Sequence, residues 1–157
     1  MKTIKQYNQP GGYRELIKLG KVGANREWVG VVRAEEKGDY KLNIVVEHKE
    51  SETRSQVVVR AIAKNGARVS LSGMIKIPKG VKEIDSQLEL RILLLDDKSS
   101  GMVDPQLEIE SDEVRVGHSA SVSKINENQV RYLMSRGISK TEAESEIMEG
   151  WLSDIMI

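Results

Sequence analysis

The sequence predicts a mainly β fold that ends in a short helical segment. Two observations carry this. Short β-branched runs follow one another from residue 26 to residue 116 with turn residues, and no helical pattern, between them. Beyond residue 126 the apolar spacing changes to three and four, behind residues that cap helices.

The runs differ in a way that says how each is covered. Arg26–Arg33 is short and rich in valine. Tyr40–Glu47 begins with strict alternation, Tyr40, Leu42 and Ile44 on one side and Lys41 and Asn43 on the other. Gln56–Ile62 is almost continuously apolar, as expected of a strand covered on both faces. Val69–Ile77 sets Val69 and Leu71 against Ser70 and Ser72, and Gln87–Leu95 alternates before turning wholly apolar. Gln106–Glu110 and Val114–Val116 close the series. Turns are expected at Lys37-Gly38-Asp39, Asn65-Gly66, Pro78-Lys79-Gly80, Ser100-Gly101 and Asp104-Pro105. Strands in such sequence, with no helix between them, form a sandwich, a barrel or a parallel β-helix. Strands near residues 57, 70, 90 and 107, 13 to 20 residues apart, lean toward a solenoid, though no crisp repeat accompanies them.

In the tail, Asn126-Glu127-Asn128-Gln129 fits a capping box, Val130, Leu133 and Met134 share a helical face, and Gly137 follows the last turn. Ser139-Lys140-Thr141-Glu142 is a second capping box. Ala143, Ile147, Trp151 and Ile155 then recur every four residues, joined by Met148 and Leu152, which makes an amphipathic helix of about four turns running to the end of the chain. Its stripe either packs back on the β body or buries against another protein.

Composition excludes several functions. The 157 residues contain no Cys, so a disulfide scaffold, a thiolate zinc site, a Cys nucleophile and a cluster held by this chain's own thiolates are all ruled out. No apolar run approaches the length of a membrane span and no secretory signal is evident, so cytoplasmic residence is expected. The 24 basic and 24 acidic residues balance, but residues 106–157 carry 5 basic against 10 acidic, which argues against nucleic-acid binding there. That acidic third is either solvated surface or a docking face for a basic partner.

Candidate chemistry is sparse. His48 ends a strand and His118 follows Gly117, whose missing side chain suggests a close approach. Either histidine reads first as structural. Ser119, Ser121 and Ser123 alternate after His118 without a nucleophile elbow. Asp96-Asp97 and Asp104 do not form a calcium loop, and Gly20-Lys21-Val22-Gly23 is not a phosphate loop. The residues alone therefore point to a strand-rich domain with no self-sufficient active site, and no enzymatic activity is expected.

The C-terminal two thirds resembles a known family. Leu93-Leu94-Leu95-Asp96-Asp97, Pro105-Gln106-Leu107-Glu108-Ile109, Asp112-Glu113-Val114-Arg115, His118-Ser119-Ala120-Ser121 and Tyr132-Leu133-Met134-Ser135-Arg136-Gly137-Ile138 are similar, in order and spacing, to the end of the SufB/SufD core domain. His48 with Thr53-Arg54-Ser55, and Leu71-Ser72-Gly73-Met74-Ile75, are similar to its preceding rungs. The match spans about residues 46–157 and is closer to SufD, since SufB usually carries acids on both sides of the histidine.

The resemblance implies a right-handed parallel β-helix over 1–124 and a helical segment over 125–157. It implies a cytoplasmic scaffold or accessory subunit of iron–sulfur cluster assembly. Such a subunit pairs through its β-helix as a homodimer or with another SufB/SufD-type chain, and docks a SufC-like ABC ATPase through its C-terminal helices. The docking residues would be Tyr132, Leu133, Arg136, Ile147, Trp151, Leu152 and Ile155. The departures are also informative. Val116 stands where the family usually has Cys, Gly117 and Ser119 stand beside the histidine, and the upstream Cys is absent. Only His118 survives as a metal or cluster candidate, so no cofactor is expected on one chain alone and at most a transient iron–sulfur cluster where two chains meet. Two alternatives share the fold: a cluster-free regulatory or structural homologue, and a carbohydrate-binding β-helix. The second is disfavoured by 4% aromatic content.

Overall fold

A computed structural model describes residues 1–156. Among the described residues nine strands precede two helices: β1 (Lys2–Tyr7), β2 (Gly11–Leu19), β3 (Asn25–Ala34), β4 (Asp39–His48), β5 (Arg54–Ala63), β6 (Arg68–Ile77), β7 (Ile84–Leu94), β8 (Ser100–Ile109), β9 (Val114–Lys124), α1 (Glu127–Ser135) and α2 (Lys140–Ser153). Odd strands form one parallel sheet, β1-β3-β5-β7-β9, and even strands another, β2-β4-β6-β8. Each pair of consecutive strands is one turn, so the chain coils as a parallel β-solenoid of about four turns. The sandwich and barrel readings are excluded because every pairing is parallel and joins strands two apart in sequence.

The repeat is one of geometry. Asn25 pairs with Arg54, Arg54 with Asp85 and Asp85 with Arg115, offsets of 29, 31 and 30 residues. The spacing of 13 to 20 residues is therefore half a turn. Corners stack at the same interval and are laced together. Asn65 and Gly66 both take positive φ, the Asn65 backbone N–H donates to Asp96 Oδ2 at 2.7 Å, and its side chain donates to the Glu35 carbonyl at 2.8 Å.

In-register rows fill the lumen. Trp28, Val57 and Leu88 form one inward row, and Ile44 and Gly73 lie in another. A Cβ at Gly73 would meet Leu88 Cδ2 at 2.7 Å, so the small residue makes room for the large one across the lumen. The outer faces of the two sheets differ. The odd-strand sheet carries Val29, Val31, Ile62 and Leu93 outward, and α2 covers them with Met148 and Leu152. The even-strand sheet carries polar rows outward, among them Lys18–Glu47–Lys76–Glu108, in which charge sign alternates from strand to strand.

Several element boundaries differ from expectation. β1 and β2 have no counterpart in the sequence reading. β8 begins at Ser100, so Ser100-Gly101 and Asp104-Pro105 lie within a strand rather than in turns. Proline is accommodated because β8 is an edge strand, where a missing N–H breaks no ladder bond. β9 continues past Val116 to Lys124. Helix α2 ends at Ser153 and residues 154–156 form a turn, so the helix does not run on through them; Ile157, the last residue of the expected helix, lies outside the described residues.

Candidate functional site

Two surfaces stand out, the end of the solenoid formed by β8 and β9 and the outer face of the helical segment. At the β8–β9 end the side chains that face the lumen continue the inward rows but have, among the described residues, no further rung above them. Leu107 follows Ile75, Ile109 follows Ile77, Ala120 follows Leu90 and Val122 follows Ile92. The preceding residues are fully buried, whereas Leu107, Ile109 and Val122 remain 40%, 37% and 39% exposed. Both strands are sheet edges, so a line of backbone donors and acceptors borders this apolar patch.

His118 lies on β9 in the row Trp28–Val57–Leu88–His118 and is exposed. The row directs it toward the mouth of the lumen, among apolar neighbours. Gly117 beside it is a close approach within the chain. A Cβ there would meet Gln87 Oε1 at 2.5 Å, so the Gln87 side chain lies across the β9 backbone at that point. Val116 lies in the row after Ser86 and offers no ligand atom. A groove of about 690 Å³ runs along the outer face past Gln87, Glu89, Gly117, His118 and Ser119 to Asp154 and Ile155 at the end of α2. Among the described residues no group of three or more His, Asp or Glu is placed to hold a metal ion. A cluster does not fit this chain alone, because one imidazole gives one ligand and no thiolate accompanies it.

The second histidine is separate and closed. His48 is fully buried. Its Nδ1 is 2.8 Å from Thr53 Oγ1 and its Nε2 is 2.9 Å from Ser55 Oγ, which in turn is 2.7 Å from Ser86 Oγ. Thr53 commits its proton to the Glu50 carbonyl at 3.0 Å. Nδ1 must therefore carry the imidazole proton, Nε2 accepts from Ser55, and Ser55 accepts from Ser86. Burial lowers the His48 pKa to about 4. This is a satisfied structural histidine locked neutral; buried as they are, its serine neighbours are not an accessible nucleophile.

The helices are placed by their caps. The Asn126 side chain accepts from the Asn128 and Gln129 N–H groups, and Ser139 Oγ accepts from the Glu142 N–H at 3.2 Å. Gly137 takes φ of 95° just past α1, and its N–H donates to the Met134 carbonyl. Two arginines on the sheet then fix α2. Arg33 makes a bidentate pair with Glu149 at 2.6 and 2.8 Å, which holds the Glu149 carboxyl below its ordinary range. Arg60 donates to the Trp151 carbonyl at 2.7 Å and pairs with Asp154 at 3.2 Å, and its guanidinium stacks 5.1 Å from the Trp151 ring centre.

These contacts divide the docking candidates. Leu152 is fully buried against the sheet and anchors α2. Leu133, Ile147, Trp151 and Ile155 are half-buried; Tyr132 and Arg136 are exposed, with the Arg136 guanidinium 5.3 Å from the Tyr132 ring centre. Tyr132, Leu133, Ile147 and Trp151 line one groove of about 800 Å³ between α1 and α2, floored by Arg60 and Arg91. Arg136 and Ile155 lie outside that groove. Sequence reasoning missed the exposed apolar mouth of the lumen. Its signal lies only in register: the solenoid shows that among the described residues no strand follows those of Leu107 and Val122.

Comparison with known proteins agrees with this architecture. The family model for the SUF system FeS cluster assembly SufBD core domain matches residues 14–151, starting well before residue 46, where the motif resemblance begins. An iron–sulfur cluster assembly SufBD family protein of Mycobacterium leprae is 37% identical over 108 residues, 69% of this chain and 12% of that protein. A protein of the same description from Mycobacterium bovis is 36% identical over 108 residues, 69% of this chain and 13% of that protein. One from Staphylococcus aureus is 38% identical over 105 residues, 67% of this chain and 23% of that protein. The chain thus spans less than a quarter of the length of these relatives. With parallel solenoid, terminal helix pair and family match in agreement, this chain belongs to the SufBD family of iron–sulfur cluster assembly proteins.

Proposed function

We propose that this chain is a scaffold or accessory subunit of cluster assembly. It pairs through the β8–β9 end with a like solenoid end, and it docks a SufC-like ABC ATPase on the α1–α2 face. Its contribution is architecture rather than catalysis, and its place of action is the cytoplasm. The observation that supports this reading best is the apolar mouth of the lumen with His118 exposed within it. A patch of this kind bordered by two strand edges gains from burial against a matching surface. Like ends meeting about a two-fold axis bring two imidazoles to one seam, and the cluster, as cargo, would visit there transiently. The helix groove supports the ATPase part, since the aromatic and aliphatic side chains along it suit a partner's anchors.

Anaerobic addition of iron and sulfide tests the cargo role. A visible chromophore that His118→Ala abolishes is the expected result. No chromophore with either protein would leave the cluster-free structural reading, which Val116 and the missing thiols favour. Calorimetry with the cognate ATPase tests docking separately. Trp151→Asp and the more exposed Tyr132→Asp should each weaken association at least tenfold. Unchanged affinity in both would remove the helix face from the reading.

A further inference from the structure

The groove between α1 and α2 has apolar walls and a cationic floor. Residues 106–157 carry 5 basic against 10 acidic residues, so the helical segment itself is acidic. The cations come from the sheet beneath it. Arg60 on β5 and Arg91 on β7 are neighbours in register, in the outward row Val31–Arg60–Arg91–Ser121. Like charges directly opposite each other in a sheet repel, so this pair calls for anions. Those the chain supplies are few. Arg60 is only 8% exposed, and its acceptors among the described residues are the Trp151 carbonyl at 2.7 Å and Asp154 Oδ2 at 3.2 Å. Its Nε is buried with no partner, although a buried guanidinium ordinarily spends its donors. The Asp154 side chain is 71% exposed, so it is held loosely. Arg91 is half-buried and meets one carboxylate, Glu89, at 3.0 Å.

We propose that the α1–α2 groove recognises a single carboxylate of its partner, an Asp or Glu side chain flanked by apolar residues, and that Asp154 keeps its place until the partner binds. The inference rests on docking of the ATPase at this face. The incoming carboxylate seats between Arg91 and Arg60, where charge-assisted hydrogen bonds reward it. Its apolar neighbours lie against Tyr132, Leu133, Ile147 and Trp151. They exclude water from the seat, and the pairing strengthens as the local dielectric falls. Asp154 is the chain's own stand-in: its contact is long and largely in water, so exchange costs little. Arg60 continues to hold α2 through the Trp151 carbonyl. Glu146 also lines the groove and is exposed. It repels a second acid, so the groove accepts one carboxylate and rejects an acidic run.

The test titrates the cognate ATPase into the parent and three variants by calorimetry, at low and high salt, with circular dichroism to check folding. Arg91→Gln should weaken association about tenfold or more and flatten its dependence on salt. Asp154→Asn removes the competing carboxylate and should strengthen association about threefold, the scale of one exposed ion pair. Tyr132→Asp reports on the face as a whole. If Tyr132→Asp weakens binding while Arg91→Gln keeps the parent's affinity and salt dependence, the carboxylate proposal is overturned and docking at the helices stands. Asp154→Asn binding no tighter than the parent overturns it too, since Asp154 then only anchors α2. Should Arg91→Gln prove unfolded, Asp154→Asn, a change at an exposed side chain, decides alone. An ATPase that binds the parent no better than Tyr132→Asp removes the docking reading, and the proposal falls with it.

Discussion

The two sheets share a lumen and differ on their outer faces. The odd-strand sheet carries an apolar patch on its outer face as well, Val29, Val31, Ile62 and Leu93, and α2 covers that patch through Met148 and Leu152. The even-strand sheet carries outward the polar rows Lys18–Glu47–Lys76–Glu108 and Arg14–Asn43–Ser72–Asp104 on either side of Leu16–Val45–Met74, and no element among the described residues lies over them. A helix sits where burial repays it, and rows of polar side chains suffice elsewhere. The covered face also has consequences for the helix groove, because Ile147 and Trp151 can line it only while Met148 and Leu152 hold α2 on the sheet, against which Trp151 itself packs.

That contrast can be broken from the covered side. Leu152→Ala removes a fully buried side chain from the α2 cluster and should cost about 2–5 kcal/mol in urea unfolding. Val45→Ala, an outward change on the bare sheet, should stay within about 0.5 kcal/mol. Equal losses at the two positions would mean that the faces are not different in the way described.

A pH titration probes what the two sheets have in common, the corner held by His48. The folded histidine has its pKa lowered to about 4 by burial, whereas in the unfolded chain it sits at the ordinary 6.5. The unfolded state takes the proton first, so this contribution is complete above pH 6.5 and is lost as pH falls toward 4. The loss should reach about 2–3 kcal/mol. His48→Gln should flatten that part of the stability curve, and an unflattened curve would assign the acid sensitivity to other groups.

Smaller effects sharpen the comparison. Ser139→Ala removes the α2 cap and should cost about 1 kcal/mol, with the loss visible in helical circular dichroism before the sheet signal changes. Lys76→Ala breaks the exposed Lys76–Glu108 pair at 4.0 Å and should change stability by less than about 0.5 kcal/mol, less still at high salt.

Much of this contrast was legible in the sequence. The continuous apolar run at Gln56–Ile62 marks a strand covered on both faces, and the alternation at Tyr40–Glu47 marks one covered on a single face; both readings hold. The two caps at Asn126 and Ser139 were equally plain, because capping is local. What failed was also physical. β1 points Thr3, Lys5 and Tyr7 inward and Ile4 outward, so its polarity pattern is that of an inverted strand. β8 contains Gly101 and Pro105, which signal turns except on an edge. β9 alternates Ser119, Ser121 and Ser123 with Ala120 and Val122, too little apolar surface to stand out. The site was partly legible: His118 was singled out by motif, but the exposed mouth of the lumen around it depends on strand register, which a list of residues does not contain.

The central claim is that the β8–β9 end is an interface, and one measurement addresses it most directly. Sedimentation equilibrium of the parent should give two 17.6 kDa chains. Val122→Asp places a charge in the middle of the apolar mouth and should give one, with unchanged circular dichroism and unfolding. A parent that runs as a single chain, or a Val122→Asp variant that stays paired, would contradict it.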